Sequence, residues 1–206
     1  GIKIINNKII IEADPTVSYR DTIGGRSLKL KEIGKKFTPI PLGVVVAIIA
    51  KTKSGKKMLG ITIRNKKHDF KPSGYSVTAG GMMQINNKET AKNSILREIK
   101  EETGLNPKDV KGLTCRGITY NRGSKTAGII FFAKTDLATD KIISKIHDDE
   151  NEIIFVPIKK MELRKFILKI ANACTEDGLA AMALLGKDLY GGEWFKRILK
   201  SLALLN

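Results

Sequence analysis

Gly80-Gly81-Met82-Met83-Gln84-Ile85-Asn86-Asn87-Lys88-Glu89, then seven residues, then Arg97-Glu98-Ile99-Lys100-Glu101-Glu102-Thr103-Gly104-Leu105: this stretch decides the fold. A helix turns once in about 3.6 residues, so Glu98, Glu101 and Glu102, three and four apart, share an arc. Arg97 stands four before Glu101, a spacing that allows an ion pair along the helix. Ala91, Ile95 and Ile99 run four apart on the neighbouring side and form an apolar stripe for a core. Gly104 falls where a left-handed residue commonly ends a helix. The spacing predicts a helix over 89–103, preceded by a glycine turn.

Three clustered carboxylates repel one another and cost the helix stability. A hard divalent cation explains them, because such ions take oxygen ligands and leave room for water and phosphate. The stretch resembles the Nudix box of the Nudix hydrolase superfamily: Gly, five residues, Glu, seven residues, Arg-Glu-apolar-any-Glu-Glu-any-Gly-apolar. Glu89, Arg97, Glu98, Ile99, Glu101, Glu102, Gly104 and Leu105 fall in register. Strict spacing asks for glycine where Met83 stands. The nearest glycine is Gly81, so the loop is longer by two residues.

The resemblance implies an α/β fold, an α/β/α sandwich around a mixed sheet, and cleavage of a phosphoanhydride bond with Mg2+ or, alternatively, Mn2+. It implies that Glu101 and Glu102 bind metal and that the carbonyl of Gly81 adds a ligand. Glu98 either binds metal or accepts a proton from the attacking water, and Arg97 orients the cluster. Glu89 is a further candidate within the box. In such enzymes another base or ligand often comes from an acidic loop before a late strand. Here that loop is His147-Asp148-Asp149-Glu150-Asn151-Glu152, with Glu152 best placed and Glu150 next; a solvated acidic turn is the competing reading. His147 and His68 read as spectators. Tyr120 occupies a position where dinucleotide polyphosphate hydrolases carry a base-stacking tyrosine. Tyr120-Asn121-Arg122-Gly123 resembles the loop of ADP-ribose pyrophosphatases, except that Arg122 stands where proline is usual.

At 206 residues, with 42% apolar and 28% charged residues, the chain is long enough for one domain with additions. No run of eighteen apolar residues reads as a membrane span. The N-terminus alternates charge with isoleucine, unlike a secretory leader, and Cys115 and Cys174 make no disulfide framework. A cytoplasmic protein is the resulting expectation. The 37 basic and 21 acidic residues give a net charge of +16, which suits either nucleic acid or a small anionic substrate. The lysines are dispersed and aromatics are only 6%, so base-stacking platforms for RNA are not favoured.

Alternating segments in 2–33, Ile2–Ile11 and Ser27–Leu30 among them, read as short strands, punctuated by Asp14-Pro15 and Gly24-Gly25. Residues 1–38 are expected to form an N-terminal β extension. The main domain is expected over 39–160, with strands at Leu42–Ala50, Lys57–Ile63, Leu113–Tyr120, Ala127–Lys134 and Glu152–Ile158. Residues 161–206 read as a helical segment packed on it, with Trp194, Phe195, Ile198, Leu199 and Leu202 lining one side of the last helix. In similar enzymes N-terminal β extensions often exchange between subunits, so the resemblance implies a homodimer.

The functional expectation is a metal-dependent hydrolase of a nucleoside diphosphate linked to a second group, of the ADP-ribose or dinucleoside polyphosphate type. One alternative is a pyrophosphohydrolase of RNA 5′ ends, motivated by the charge. Another is a non-catalytic nucleotide-binding module, against which the complete acidic set argues. An isoprenoid diphosphate isomerase would need a cysteine upstream of the box, and both cysteines lie downstream.

Overall fold

Strict alternation along one strand sets the architecture of the computed structural model, which describes residues 2–5, 8–11, 41–66, 73–84, 89–121, 126–146 and 151–204. In β3 (Leu42–Lys51), Val44, Val46, Ile48 and Ala50 enter one core, and Val45, Ala47 and Ile49 the other. Such a strand is buried on both faces and needs a layer on each. Its parallel neighbour β8 (Thr126–Ala138) alternates in the same way, Ile129, Phe131 and Ala133 against Ile130 and Phe132. The remaining pairings are antiparallel: β4 (Lys57–Arg64) with β3, β7 (Lys111–Asn121) on β8, and β9 (Asn151–Pro157) on β4. β7 is an edge of the main path.

β3 and β4 pair only near Ile49 and Leu59, then separate, and one irregular segment fills the gap between them. β5 (Tyr75–Val77) pairs with β4, and β6 (Ala79–Met82) pairs with β3. Thr78 is the crossing point. Its hydroxyl accepts from the Ile48 amide at 2.9 Å and donates to the Gly60 carbonyl at 2.8 Å. The glycines read as a turn therefore lie in a strand: Gly80 pairs with Val45 and Gly81 with Val44. A Cβ at Gly80 would stand 2.7 Å from the Val44 carbonyl oxygen, so close approach of two backbones, rather than chain reversal, requires glycine there.

One face is covered by α1 (Ala91–Thr103), which buries Ile95 and Ile99 completely. Burial of two such side chains contributes about 4 kcal/mol. The helix starts two residues later than its spacing predicts, because the Thr90 hydroxyl accepts from the Asn93 amide and caps it. It stops as predicted: Gly104 is left-handed, with φ 66°, and its amide donates to the Lys100 carbonyl. A short helix unforeseen from the pattern, α2 (Thr139–Ile143), adds Ile142 to this core.

The other face is covered by α3 (Lys160–Ile170), α4 (Glu176–Tyr190) and α5 (Gly192–Ala203). Leu163, Ile167, Met182, Trp194 and Ile198 join Ala47, Leu59, Ile61 and Ile130 in one cluster. A Cβ at Gly186 would collide with the Trp194 ring, so this glycine admits the indole between α4 and α5. The two helical layers around a mixed sheet form the expected α/β/α sandwich, with the C-terminal helices supplying one layer.

At the N-terminus β1 (Ile2–Ile5) and β2 (Lys8–Ile11) form an antiparallel hairpin, Ile2 opposite Ile11 and Ile4 opposite Ile9. The expected strand at Ser27–Leu30 lies outside the described residues. No helix among the described residues is long and apolar enough to cross a membrane.

Candidate active site

Strand ends collect where β3 and β8 begin and β4, β6 and β7 finish, and the apolar stripe of α1 turns its acidic side toward the glycines of β6. Ser94, Glu98 and Thr103 are the polar residues buried along this helix. Glu98 is only 8% exposed. Its carboxylate lies directly against Gly81, so that a Cβ at that position would collide with both oxygens. Glu102 accepts from the Gly80 amide at 3.2 Å. Glu101, on the outer side, is exposed.

Arg97 holds the group together. Its Nε donates to Glu89 at 3.1 Å, and its Nη1 reaches Glu98 at 2.7 Å and Glu101 at 2.9 Å. Nη2 donates to the Met82 carbonyl at 3.3 Å, tying the helix to β6. Glu89 also accepts from the Gln84 amide at 2.9 Å. One guanidinium thus serves three carboxylates, which the predicted i,i+4 pair captures only in part. The Met82 carbonyl and the Gln84 amide were not legible as partners, because backbone groups carry no mark in a sequence.

Electrostatics follow from that arithmetic. Burial pushes the Glu98 carboxyl up; Arg97 opposes this, and the charges of Glu101 and Glu89 add to it. Burial also acts on Glu89, but the Gln84 amide and Arg97 outweigh it and hold the carboxyl below its usual range. Burial disfavours the charged Arg97, yet its three partners more than compensate, so the guanidinium is locked in its charged form.

The donor set fits a hard cation. It consists of carboxylate and backbone carbonyl oxygens, without sulfur or imidazole, and Gly81 carries no side chain that would block its own carbonyl. Among the described residues no three His, Cys, Asp or Glu side chains converge on one point; Arg97 draws Glu89, Glu98 and Glu101 toward itself instead. Glu98, Glu101, Glu102 and Gly81 are the residues that would hold such an ion.

The other candidates are placed differently. Glu152 is exposed at the start of β9, and alternation puts it on the face of Ile154 and Val156, away from α1. The structure does not bring it to the carboxylates. Tyr120 is 53% exposed near the end of β7. It pairs with Ala127, two residues from the pair Ile118 and Ile129, which packs in the α1 core. Tyr120 therefore stands on the same face as the acidic cluster. Arg122, Glu150, His147 and His68 lie outside the described residues.

Comparison with known proteins agrees with this fold. The family model for the NUDIX domain matches residues 41–173. A structure of the NUDIX domain of Shewanella oneidensis NrtR complexed with ADP ribose superposes with a TM-score of 0.52 at 15% identity, covering 78% of this chain and 96% of that one. A C. elegans Ap4A hydrolase superposes with a TM-score of 0.51 at 16% identity, over 73% of this chain and 98% of that one. A bifunctional NMN adenylyltransferase/ADP ribose pyrophosphatase from Francisella tularensis, complexed with AMP and a Mn ion, gives a TM-score of 0.54 at 18% identity. It shares 81% of this chain and 46% of its own. No curated protein sequence matches the chain significantly.

Proposed function

The chain belongs to the NUDIX domain family, and from that premise we propose that it hydrolyses a phosphoanhydride bond in a nucleoside diphosphate linked to a second group, of the ADP-ribose or dinucleoside polyphosphate type. The carrying observation is the seating of the Glu98 carboxylate against Gly81, with Arg97 bridging it to Glu89 and Glu101. A solvated helix face has no need of a buried carboxylate or of a glycine shaped to receive it.

Phosphoanhydrides resist attack because their oxygens repel an incoming hydroxide. A bound Mg2+ or Mn2+ would neutralise that charge and acidify a coordinated water. Glu98, Glu101, Glu102 and the Gly81 carbonyl would hold the ion. Alternatively Glu98 accepts the water's proton, a role that its burial favours by raising its proton affinity. Arg97 keeps the carboxylates in place and does not touch substrate. Tyr120, exposed on the same face, offers its ring to a nucleobase. The ligands of the similar structures, ADP ribose and AMP, support the substrate class, and the net charge of +16 would draw a polyanion to the protein.

The same charge motivates a second reading, a pyrophosphohydrolase of RNA 5′ ends. Steep loss of RNA binding with added salt would mark it.

The test is turnover of ADP-ribose, diadenosine polyphosphates, nucleotide sugars, nucleoside triphosphates and capped RNA with Mg2+ or Mn2+, beside the Glu102→Gln variant. Cleavage of a nucleoside diphosphate derivative, lost in the variant, is expected. Preferential cleavage of capped RNA would transfer the function to the second reading. Tight nucleotide binding without turnover of any substrate would make the protein a binding module.

A further inference from the structure

We propose that Asp177 is a positioning residue for substrate, acting through Thr119 from the opposite face of the sheet to hold Tyr120 in place. The proposal rests on the reading above, in which Tyr120 receives the nucleobase. β7 is an edge strand, with register breaks between Lys111 and Thr114 and between Cys115 and Gly117. Both breaks precede Gly117. From there to Asn121 the ladder is regular but one-sided, so contacts from the sheet faces add restraint that a second neighbouring strand would otherwise give. Tyr120 sits one residue from its end.

Polar contacts on the α4 side supply the restraint. Thr119 pairs with Gly128, which alternates onto the face of Ile130, opposite to Tyr120. The Thr119 hydroxyl donates to the Asp177 carboxylate and lies 3.2 Å from the Gly128 carbonyl. A Cβ at Gly128 would stand 2.8 Å from the carboxylate carbon of Asp177, so glycine is what lets this carboxylate rest on the sheet. Three turns along α4, Asp188 pairs with Arg116 of the same strand.

The anchor itself is fixed. Thr175 caps α4 by accepting from the Gly178 amide at 3.1 Å, donates its own amide to the Tyr75 carbonyl at 2.8 Å, and touches the Ser76 hydroxyl at 3.2 Å. The start of α4 is thereby bound to β5, inside the sheet. The helix does not need Asp177 half-buried for its own sake: Glu176, exposed in the same first turn, complements the helix dipole at no desolvation cost. Burial pushes the Asp177 carboxyl up and the charge of Glu176 adds to this, against the Thr119 contact and the charge of Arg64. A carboxylate held at that cost is explained by the strand it restrains.

The experiment measures KM and kcat on ADP-ribose and diadenosine tetraphosphate for Asp177→Ala, Thr119→Val and Gly128→Ala, each alone and combined with Tyr120→Ala. Each single variant should raise KM about tenfold with a much smaller change in kcat, and the rise should vanish once Tyr120 is removed. Asp177→Asn and Thr119→Ser keep an acceptor and a donor, and should restore KM. Should Asp177→Ala not fold, the Thr119 and Gly128 variants carry the same comparison. An equal rise in KM with or without Tyr120, or a lowered melting temperature with KM unchanged, overturns the proposal. Absence of Glu102-dependent turnover on both substrates would instead overturn the functional reading, and this inference with it.

Discussion

Charged groups gather at both ends of the central sheet, and they behave differently. At the end carrying the acidic cluster, Arg97 is the one cation among the described residues paired with Glu89, Glu98 and Glu101, and the side chains of Glu89 and Glu98 are only 12% and 11% exposed. At the far end, Lys53 pairs with Asp140 and Lys111 with Asp136, one cation to one anion, with Lys53 79% exposed and Asp136 74%. The exposed pairs are balanced and hydrated, and their geometry asks nothing of the backbone. The buried cluster is unbalanced, and β6 carries a glycine to accommodate it. Imbalance combined with burial is what distinguishes a chemical site from a solvated surface.

The largest way to break this comparison is Glu102→Gln. If the cluster holds a catalytic ion, loss of that charge costs several kcal/mol of transition-state stabilisation, or about a thousandfold in turnover. Melting and circular dichroism should stay those of the wild type; a rate within a factor of two of wild type would make the cluster merely structural.

Gly81→Ala comes next. The new methyl displaces the end of a flexible side chain, so the fold survives while Glu98 leaves its place. A misplacement of this kind costs about a hundredfold in rate. Full activity in a folded Gly81→Ala protein would mean that the seat of Glu98 is unimportant.

Arg97→Met leaves three carboxylates without their cation. Discounted for the quarter exposure of Arg97, the loss in urea-measured stability should be about 2 kcal/mol. Added Mg2+ or Mn2+ should recover part of it, since an ion that binds only the folded state stabilises by mass action. No recovery would argue that the carboxylates do not share an ion.

At the small end of the scale stands Lys111→Ala. The Lys111 partner Asp136 is held below its usual pKa chiefly by this contact, yet both groups are well hydrated. No resolvable change in melting temperature is expected; a drop of several degrees would erase the distinction between the two ends.

Much of this was legible in one stretch of sequence. Four-residue spacing placed Ile95 and Ile99 in the core, Gly104 announced the left-handed stop, and the interval from Arg97 to Glu101 foretold their ion pair. Those are local relations, set within one or two helical turns, where spacing dictates geometry. The Gly80-Gly81 pair misled because glycine serves both reversal and close backbone approach, and only the gap between β3 and β4 selects the second. Glu152 looked well placed beside a late strand, but strand alternation in the folded sheet turns it to the other face.

By itself, then, the sequence determined the acidic helix and its stop, the run of strands and the helical C-terminal segment, all consequences of periodicity and short-range sterics. Only the tertiary structure decided that Gly81 is the seat of Glu98, that Arg97 serves three carboxylates and a strand carbonyl, and that Asp177 meets Thr119 across 58 residues of chain. Those contacts arise from how two helical layers close on one sheet, and burial of that kind leaves no period in the chain.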